Sequence, residues 1–415
     1  MGGLGRAIQA VVALLVLGIL SRELSGDELG RFALWSFLLV LLDVTSDFGT
    51  GNLTLERGAA DDWAFTSYLA GARRVRTWVF CVAFSVALVA LILIEDHDRG
   101  WLALGLLAPL SRRFEASGLS LQRAVRWEPL VALRASGAVI RGLGVWLLAR
   151  EGFATAGPFL AWTGVTQFAV NLAIHRAAKP LCPKPTIAVA LPRDLWRAAW
   201  PLALASIAGL LHVQLDYVWL RALLGEAELG TYHVAARIYS YATWLPVLAT
   251  QAALPVLARA RERGVLPRTL GRYSTITTVA LVAFLLPVAP FLDELLALAF
   301  GEDFRRAAAP LSWLLVTAVW QASQAWWVTT LVAIDRGKTL LSLTLAALGL
   351  NALLNAVAVP RLGLDGAALA TLASETAFGL AAFGLLWREG AVRRRSLALA
   401  FASAAVFTWF ALAAR

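Results

Sequence analysis

"LVALRASGAVIRGLG", residues 130–144, places two arginines, Arg134 and Arg141, among residues that are otherwise apolar or small. How this stretch is read decides the fold, and the surrounding chain decides the reading. Of 415 residues, 59% are hydrophobic and 15% charged, and the mean hydropathy is +0.70. Soluble domains hold about 45–50% apolar residues. Apolar runs of about 17–25 residues recur along the chain, each long enough to cross a hydrocarbon core of about 30 Å as a helix. The runs are continuously apolar and do not alternate, which disfavours membrane strands. The quoted stretch is therefore a membrane helix, and the chain an all-α polytopic membrane protein.

Spans are expected near 4–20, 31–55, 76–94, 101–122, 129–149, 157–175, 198–220, 230–256, 273–292, 308–333, 339–359, 366–387 and 397–414. The first resembles a signal peptide, but no small-residue cleavage site follows it, so it is read as a helix. With a cytoplasmic N-terminus, and with Arg6, Arg31 and Arg76 at the span ends counted with the adjoining segments, 23 of the 37 Lys and Arg fall on the cytoplasmic side, 9 on the outer side and 5 within spans. That bias sets the orientation. It also accounts for the net charge of +10 without a nucleic-acid partner. Cys81 lies within an expected span and Cys182 in the basic linker, so neither a disulfide framework nor a metal site is supported.

The chain repeats itself. "DELGRFAL" (27–34) returns as "AELGTYHV" (227–234), and "APLS" (108–111) as "APLS" (309–312), each at the same place in the order of spans. Two halves of six spans enter the membrane the same way round, as parallel repeats. The expected organisation is an N-terminal lobe at 1–175, a cytoplasmic linker at 176–197, a C-terminal lobe at 198–387, and a basic loop with an extra helix at 388–415.

At this point the residues resemble a family. "LSRELSGDELGRFALWSFLLVLLDVTSDFGTGN" (20–52) is similar to the opening of Wzx-type polysaccharide-biosynthesis flippases, which belong to the multidrug/oligosaccharidyl-lipid/polysaccharide exporter superfamily. The resemblance continues through "LDYVWLRALLGEAELGTYHVAARIYSY" (215–241) and "LALAFGEDFRRAAAPL" (296–311). It ends with "LNALLNAVAVPRLGLDGAALATLASE" (350–375), where Asn351, Asn355, Pro360, Gly363 and Gly366 fit a recurrent pattern. It implies two parallel six-helix bundles around a central cavity, with a thirteenth C-terminal helix appended. It also implies a non-enzymatic flippase that moves oligosaccharide units on polyprenyl diphosphate across the bacterial cytoplasmic membrane. The glycan would serve O-antigen (lipopolysaccharide), capsule or exopolysaccharide assembly.

Ionisable residues at membrane depth cost about 2.5–3.5 kcal/mol each on insertion scales, so they face a cavity or a partner. Arg112, Arg113, Arg134, Arg141 and Arg237 stand against Asp43, Asp47, Glu115, Asp216 and Glu375. Five of each sign leaves two readings open: internal ion pairs, or a charged substrate site. Arg134 and Arg141 are seven apart and share a helical face. Arg141 lies about 18 Å beyond Pro129 at 1.5 Å per residue, too deep to snorkel. The guanidinium fork suits a diphosphate. Arg112 and Arg113 are adjacent and cannot share a face. Asp43 and Asp47 are one turn apart, as are His212 and Asp216, and either pair could couple transport to H+ or Na+ or be structural. Glu375, after the small-residue run GAALATLAS, is a further coupling candidate.

Most of the 17 Trp flank spans as interfacial belts. Trp320, Gln324 and Trp327 instead mark one face in mid-span, and stack on a sugar or pack in a core. The loop "EDHDRG" (95–100) is read as solvated, with no metal site. No nucleophile–base set, phosphate-cradling loop or cofactor motif is found. Expected partners are the lipid-linked oligosaccharide, the bilayer and a coupling ion, with the chain a monomer. Two alternatives remain: export of drugs or of the peptidoglycan lipid precursor within the same superfamily, and a membrane glycan polymerase or glycosyltransferase. The second would need a long outer catalytic loop.

Overall fold

Ser25 marks the first well-defined helix start. Its hydroxyl accepts the Glu28 N–H at 3.3 Å, and Asp27 and Glu28 place negative charge in the first turn. The structure, a computed structural model, describes residues 2–58, 61–93, 98–182, 195–334 and 336–413. Among these residues every regular element is helical. By packing, the chain divides into Met1–Leu210 and Leu211–Arg415.

In the first unit, α1 (Gly2–Glu23) precedes α2 (Gly26–Asp47). The chain then turns through Phe48 (φ 48°) and Gly49 (φ 67°) into α3 (Thr50–Arg57). Gly49 has a double reason to be glycine. Its backbone is left-handed, and a Cβ there would lie 2.6 Å from Leu202 Cβ and 2.9 Å from the Ala203 nitrogen. α4 (Asp62–Leu93) follows.

The single span expected at 101–122 is corrected to four short helices. They are α5 (Arg99–Gly105), α6 (Leu107–Leu110), α7 (Arg112–Glu115) and α8 (Gly118–Arg123). Pro109 supplies one cause, because it has no N–H for the Gly105 carbonyl and its ring crowds that carbonyl. Ser111 supplies another, turning its hydroxyl back onto the Ala108 carbonyl at 2.6 Å. α9 (Glu128–Arg150) contains the opening stretch and packs on α1 and α10 (Ala156–Ala178). Gly137 and Gly144 lie against Val170 and Trp162 of α10, so the small residues of α9 serve close helix packing. Residues 183–194 of the expected linker lie outside the described residues. α11 (Leu195–Gln214) seats Leu195 and Ala199 against Leu53 and Val75.

The second unit opens at a break. α11 and α12 (Asp216–Leu224) meet at Leu215 with a 42° bend. The two "ELG" stretches both open helices, α2 at Gly26 and α13 at Glu226 (Glu226–Glu262). α14 (Leu266–Leu285), α15 (Leu292–Phe300) and α16 (Ala308–Ala333) follow. The spans expected at 339–359 and 366–387 are two helices that meet at a kink within Gly337–Arg388, together labelled α17, where Gly363 has φ 59°, ψ −133° and Pro360 lies one turn earlier. α18 (Arg394–Ala413), where the thirteenth helix is expected, packs on α14 and α16.

Four of these helical stretches are long and apolar enough to cross a membrane by length and composition: Gly26–Asp47, Glu128–Arg150, Leu266–Phe300 and Gly337–Arg388. The bent pair α11–α12 makes a fifth. The apolar windows of the four are only 17–33% buried within the protein, so most of their surface is left for hydrocarbon. α16 shows the opposite character. Its Trp, Gln and Ser residues lower its hydropathy, and most of its length is buried in the second unit.

Gly49→Leu is expected to lower stability. A left-handed backbone costs a branched residue about 1–2 kcal/mol, and overpacking against α11 adds about 1–3 kcal/mol. A melting curve of the purified variant in detergent should fall by several degrees. An unchanged midpoint would contradict the close approach of α11.

Candidate functional site

In the first unit four helices bring six charges together. α2 presents Asp43 and Asp47 one turn apart, α4 presents Arg76, α7 Arg112 and Glu115, and α9 Arg134. Arg112 grips Asp43 with both prongs, Nε to Oδ1 at 2.6 Å and Nη2 to Oδ2 at 2.5 Å. Its Nη1 also pairs with Glu115, whose other oxygen accepts from Arg134 Nη2 at 2.8 Å. Arg76 pairs with Asp47 and donates to Thr50 Oγ1 at 3.0 Å and to the Arg112 carbonyl at 3.1 Å. Three guanidinium groups thus meet three carboxylates.

The set lines a cavity of about 340 Å³ with Gly51, Gly118, Gln122 and Ser206. Bidentate and shared pairing is the geometry that lets buried charges be tolerated. Arg112 faces Asp43, while its neighbour Arg113 faces outward over the Phe114 ring, 5.5 Å away. Arg134, with 41% of its side chain exposed, is the open member of the cluster.

Arg141 does not join this cluster. Its Nη2 donates to Gln167 Oε1 at 3.0 Å, Gln167 donates to Asn171 Oδ1 at 3.3 Å, and Asn171 donates to Ser111 Oγ at 2.7 Å. This amide ladder fixes Arg141 to α10 and braces the break beside Arg112. The shared face expected for Arg134 and Arg141 holds as spacing, but their partners lie on different elements.

In the second unit the buried polar groups are mostly uncharged. His212 Nε2 lies 3.0 Å from Glu375 Oε1, an ion pair when the imidazole is protonated. Gln324 Nε2 donates to Glu375 Oε2 at 2.5 Å, and Trp320 Nε1 donates to the Glu375 carbonyl at 3.2 Å. The expected His212–Asp216 pair is not the one formed. The break at Leu215 intervenes, His212 takes Glu375, and Asp216 accepts from Tyr232 Oη at 2.5 Å and the Tyr217 N–H at 3.1 Å. Trp320 and Trp327 are 1% and 0% exposed within the apolar core, so neither offers a ring face to a sugar. Gln324 is occupied by Glu375.

Arg237 differs from the other four span arginines. It sits about 16 Å along α13 at 1.5 Å per residue, half-buried. It lines a small cleft with Gln214, Asp216, Tyr217, Tyr232, Tyr239 and Ser240. Among the described residues no carboxylate pairs with it.

Several participants were missed from the sequence. Arg76 closes the basic run "GARRVR" (71–76) and so reads as a boundary charge at the start of a span. Gln167 and Asn171 are four apart in an apolar helix, a spacing that signals a polar stripe. Tyr217, Tyr232 and Tyr239 carry no such signature. Glu95, Asp96 and His97 lie outside the described residues; Asp98 of the same loop accepts the Gly157 N–H at 3.0 Å.

Known proteins were compared with this chain. The sequence model of the family described as "Polysaccharide biosynthesis protein" matches residues 19–309. A protein of Haloferax volcanii named "Probable low-salt glycan biosynthesis flippase Agl15" is 21% identical over 377 residues, which are 85% of this chain and 75% of that protein. Among solved structures, a lipid II flippase, MurJ, in an inward closed conformation superposes with a TM-score of 0.67 at 14% identity, covering 98% of this chain and 91% of that one. A transporter of the MOP superfamily from Pyrococcus furiosus superposes with a TM-score of 0.70 at 16% identity, covering 95% and 93%.

Arg112→Leu is expected to cost about 3–5 kcal/mol, because Asp43 and Glu115 are left without their shared cation. Adding Asp43→Leu should recover part of that loss, with a coupling of about 1–3 kcal/mol. Thermal melting of the single and double variants measures both. Strictly additive losses would sink the proposed pairing.

Proposed function

From the premise that this chain belongs to the polysaccharide biosynthesis protein family, we propose that it flips oligosaccharide units linked to polyprenyl diphosphate across the cytoplasmic membrane by alternating access. The chain is a multi-pass membrane protein of a non-enzymatic flippase and transporter family. The proposal adds the diphosphate carrier, a cytoplasmic N-terminus, and use of the glycan in O-antigen, capsule or exopolysaccharide.

The observation that carries this reading is Arg237. A guanidinium that deep in a helix is expensive unless something anionic meets it. A diphosphate presents oxygens that a planar donor fork can grip in pairs. Tyr239, Ser240 and Gln214 beside it add neutral donors and acceptors. We assign Arg134, the open member of the first unit's cluster, as a second anion contact. Arg112, Arg141 and Arg113 are engaged by carboxylates, by an amide and by an aromatic ring, and are left out of the binding set.

For coupling, we assign His212 and Glu375 in preference to Asp43 and Asp47. Each aspartate is clamped by an arginine in a fixed ion pair. An imidazole 3.0 Å from a carboxylate can take up and release a proton without moving either side chain far. Proton coupling therefore fits this pair.

Arg237→Ala in a strain lacking the native gene is expected to reduce surface polysaccharide by about tenfold or more, the value of a lost charged hydrogen bond. Lipid-linked precursor should accumulate, Arg237→Lys should recover part of the activity, and Arg113→Ala should behave as the native protein. Export by Arg237→Ala at native levels would remove the diphosphate role. For coupling, His212→Gln is expected to make transport insensitive to collapse of the proton gradient. Unchanged sensitivity would move coupling elsewhere.

A further inference from the structure

The basic residues that set the orientation are scattered in the sequence, yet three helix ends bring many of them to one place in the second unit. Leu257 and Ala260 of α13, Leu266 and Leu270 of α14, and Ala391, Val392 and Ala400 at the start of α18 share one buried apolar cluster. Ser396, 4% exposed, turns toward α14, where a Cβ on Gly271 would lie 3.4 Å from its hydroxyl. Around that plug stand Arg268 and Arg272, one turn apart on α14, and Arg393, Arg394 and Arg395 at the first turn of α18. All five are exposed, and none has a carboxylate partner among the described residues. Glu389, the nearest acid in sequence to the α18 group, is taken by Arg336.

The helix start itself is unusual. The positive end of the macrodipole favours acids, yet the first turn of α18 contains no acid and begins with arginines. That arrangement is self-repelling unless an anion sits among the donors. The Arg394 guanidinium also lies 4.2 Å over the Trp387 ring, a cation–π contact with a residue type enriched at the membrane–water boundary. The charge bias assigns this end of the unit to the cytoplasmic side.

We propose that the ends of α13 and α17 and the starts of α14 and α18 form a binding site for the phosphate headgroup of an anionic phospholipid of the inner leaflet. Arg272 and Arg394 would hold the phosphate, and Trp387 the boundary with the acyl region. Basic clusters between membrane helices on the cytoplasmic side are suited to such headgroups. The site is independent of the flipped substrate and does not rest on the flippase reading.

The test uses the full-length protein in detergent micelles doped with fluorescent phosphatidylglycerol or phosphatidylcholine. Retention is measured for the native chain, for Arg272→Ala/Arg394→Ala, for Arg272→Lys/Arg394→Lys, and for Arg305→Ala/Arg361→Ala as a control of equal charge loss. Phosphatidylglycerol should be retained in preference to phosphatidylcholine, and the Ala pair at the site should weaken it by about tenfold or more. The Lys pair and the control should stay near native. A melting curve of each variant separates a lost site from a lost fold, and Arg272→Gln/Arg394→Gln, which keeps side-chain bulk and removes the charge, carries the test with the same expected loss if the Ala pair unfolds. Equal retention of both lipids, or an equal loss in the control, would overturn the site. Displacement of the lipid by inorganic phosphate at matching concentration would overturn the lipid assignment in favour of a free anion.

Discussion

A charge inside a bilayer has to be neutralised or put to use, and much of this structure follows from that constraint. The clearest instance is the fork of Arg112 on Asp43 with Glu115 and Arg134 attached. Arg112 and Arg113, being adjacent, face different ways on any helix, and Arg112 and Glu115, three apart, share a face. Beside them the amide ladder from Arg141 through Gln167 and Asn171 reaches Ser111, at the break between α6 and α7.

The two units meet the constraint with different chemistry. The first balances guanidinium groups against carboxylates, which suits a stable, charge-neutral scaffold around a cavity. The second relies on hydroxyl, amide and imidazole partners, so that its carboxylates are held by groups that can exchange protons or hydrogen bonds. Within that setting Arg237 forms no ion pair among the described residues, the Asp216 of its cleft being held by Tyr232.

How far the sequence alone could go is clear from particular residues. The membrane class was legible because apolar runs of spanning length dominate the composition. The two "ELG" stretches, read as a repeat, both open helices. Candidate charges were legible because any ionisable residue within an apolar run stands out. Their partners were not, because pairing is set by which helices meet. Arg134 and Arg141 share a face by spacing, yet one reaches α7 and the other α10. His212 and Asp216 are four apart, but the break at Leu215 gives each a different partner. Trp320 and Trp327 read equally well as a sugar platform or as core, and only burial decides between them.

The central claim is that a diphosphate-linked glycan crosses the membrane through this protein. It is tested most directly by reconstituting the purified chain into vesicles carrying a polyprenyl-diphosphate oligosaccharide initially on the inner leaflet. A glycosidase added outside then reports the glycan that has crossed. The account predicts release well above that of protein-free vesicles, suppressed by excess unlabelled diphosphate-linked lipid and little affected by the monophosphate form. Release no faster than in protein-free vesicles, under either direction of proton gradient, would contradict it.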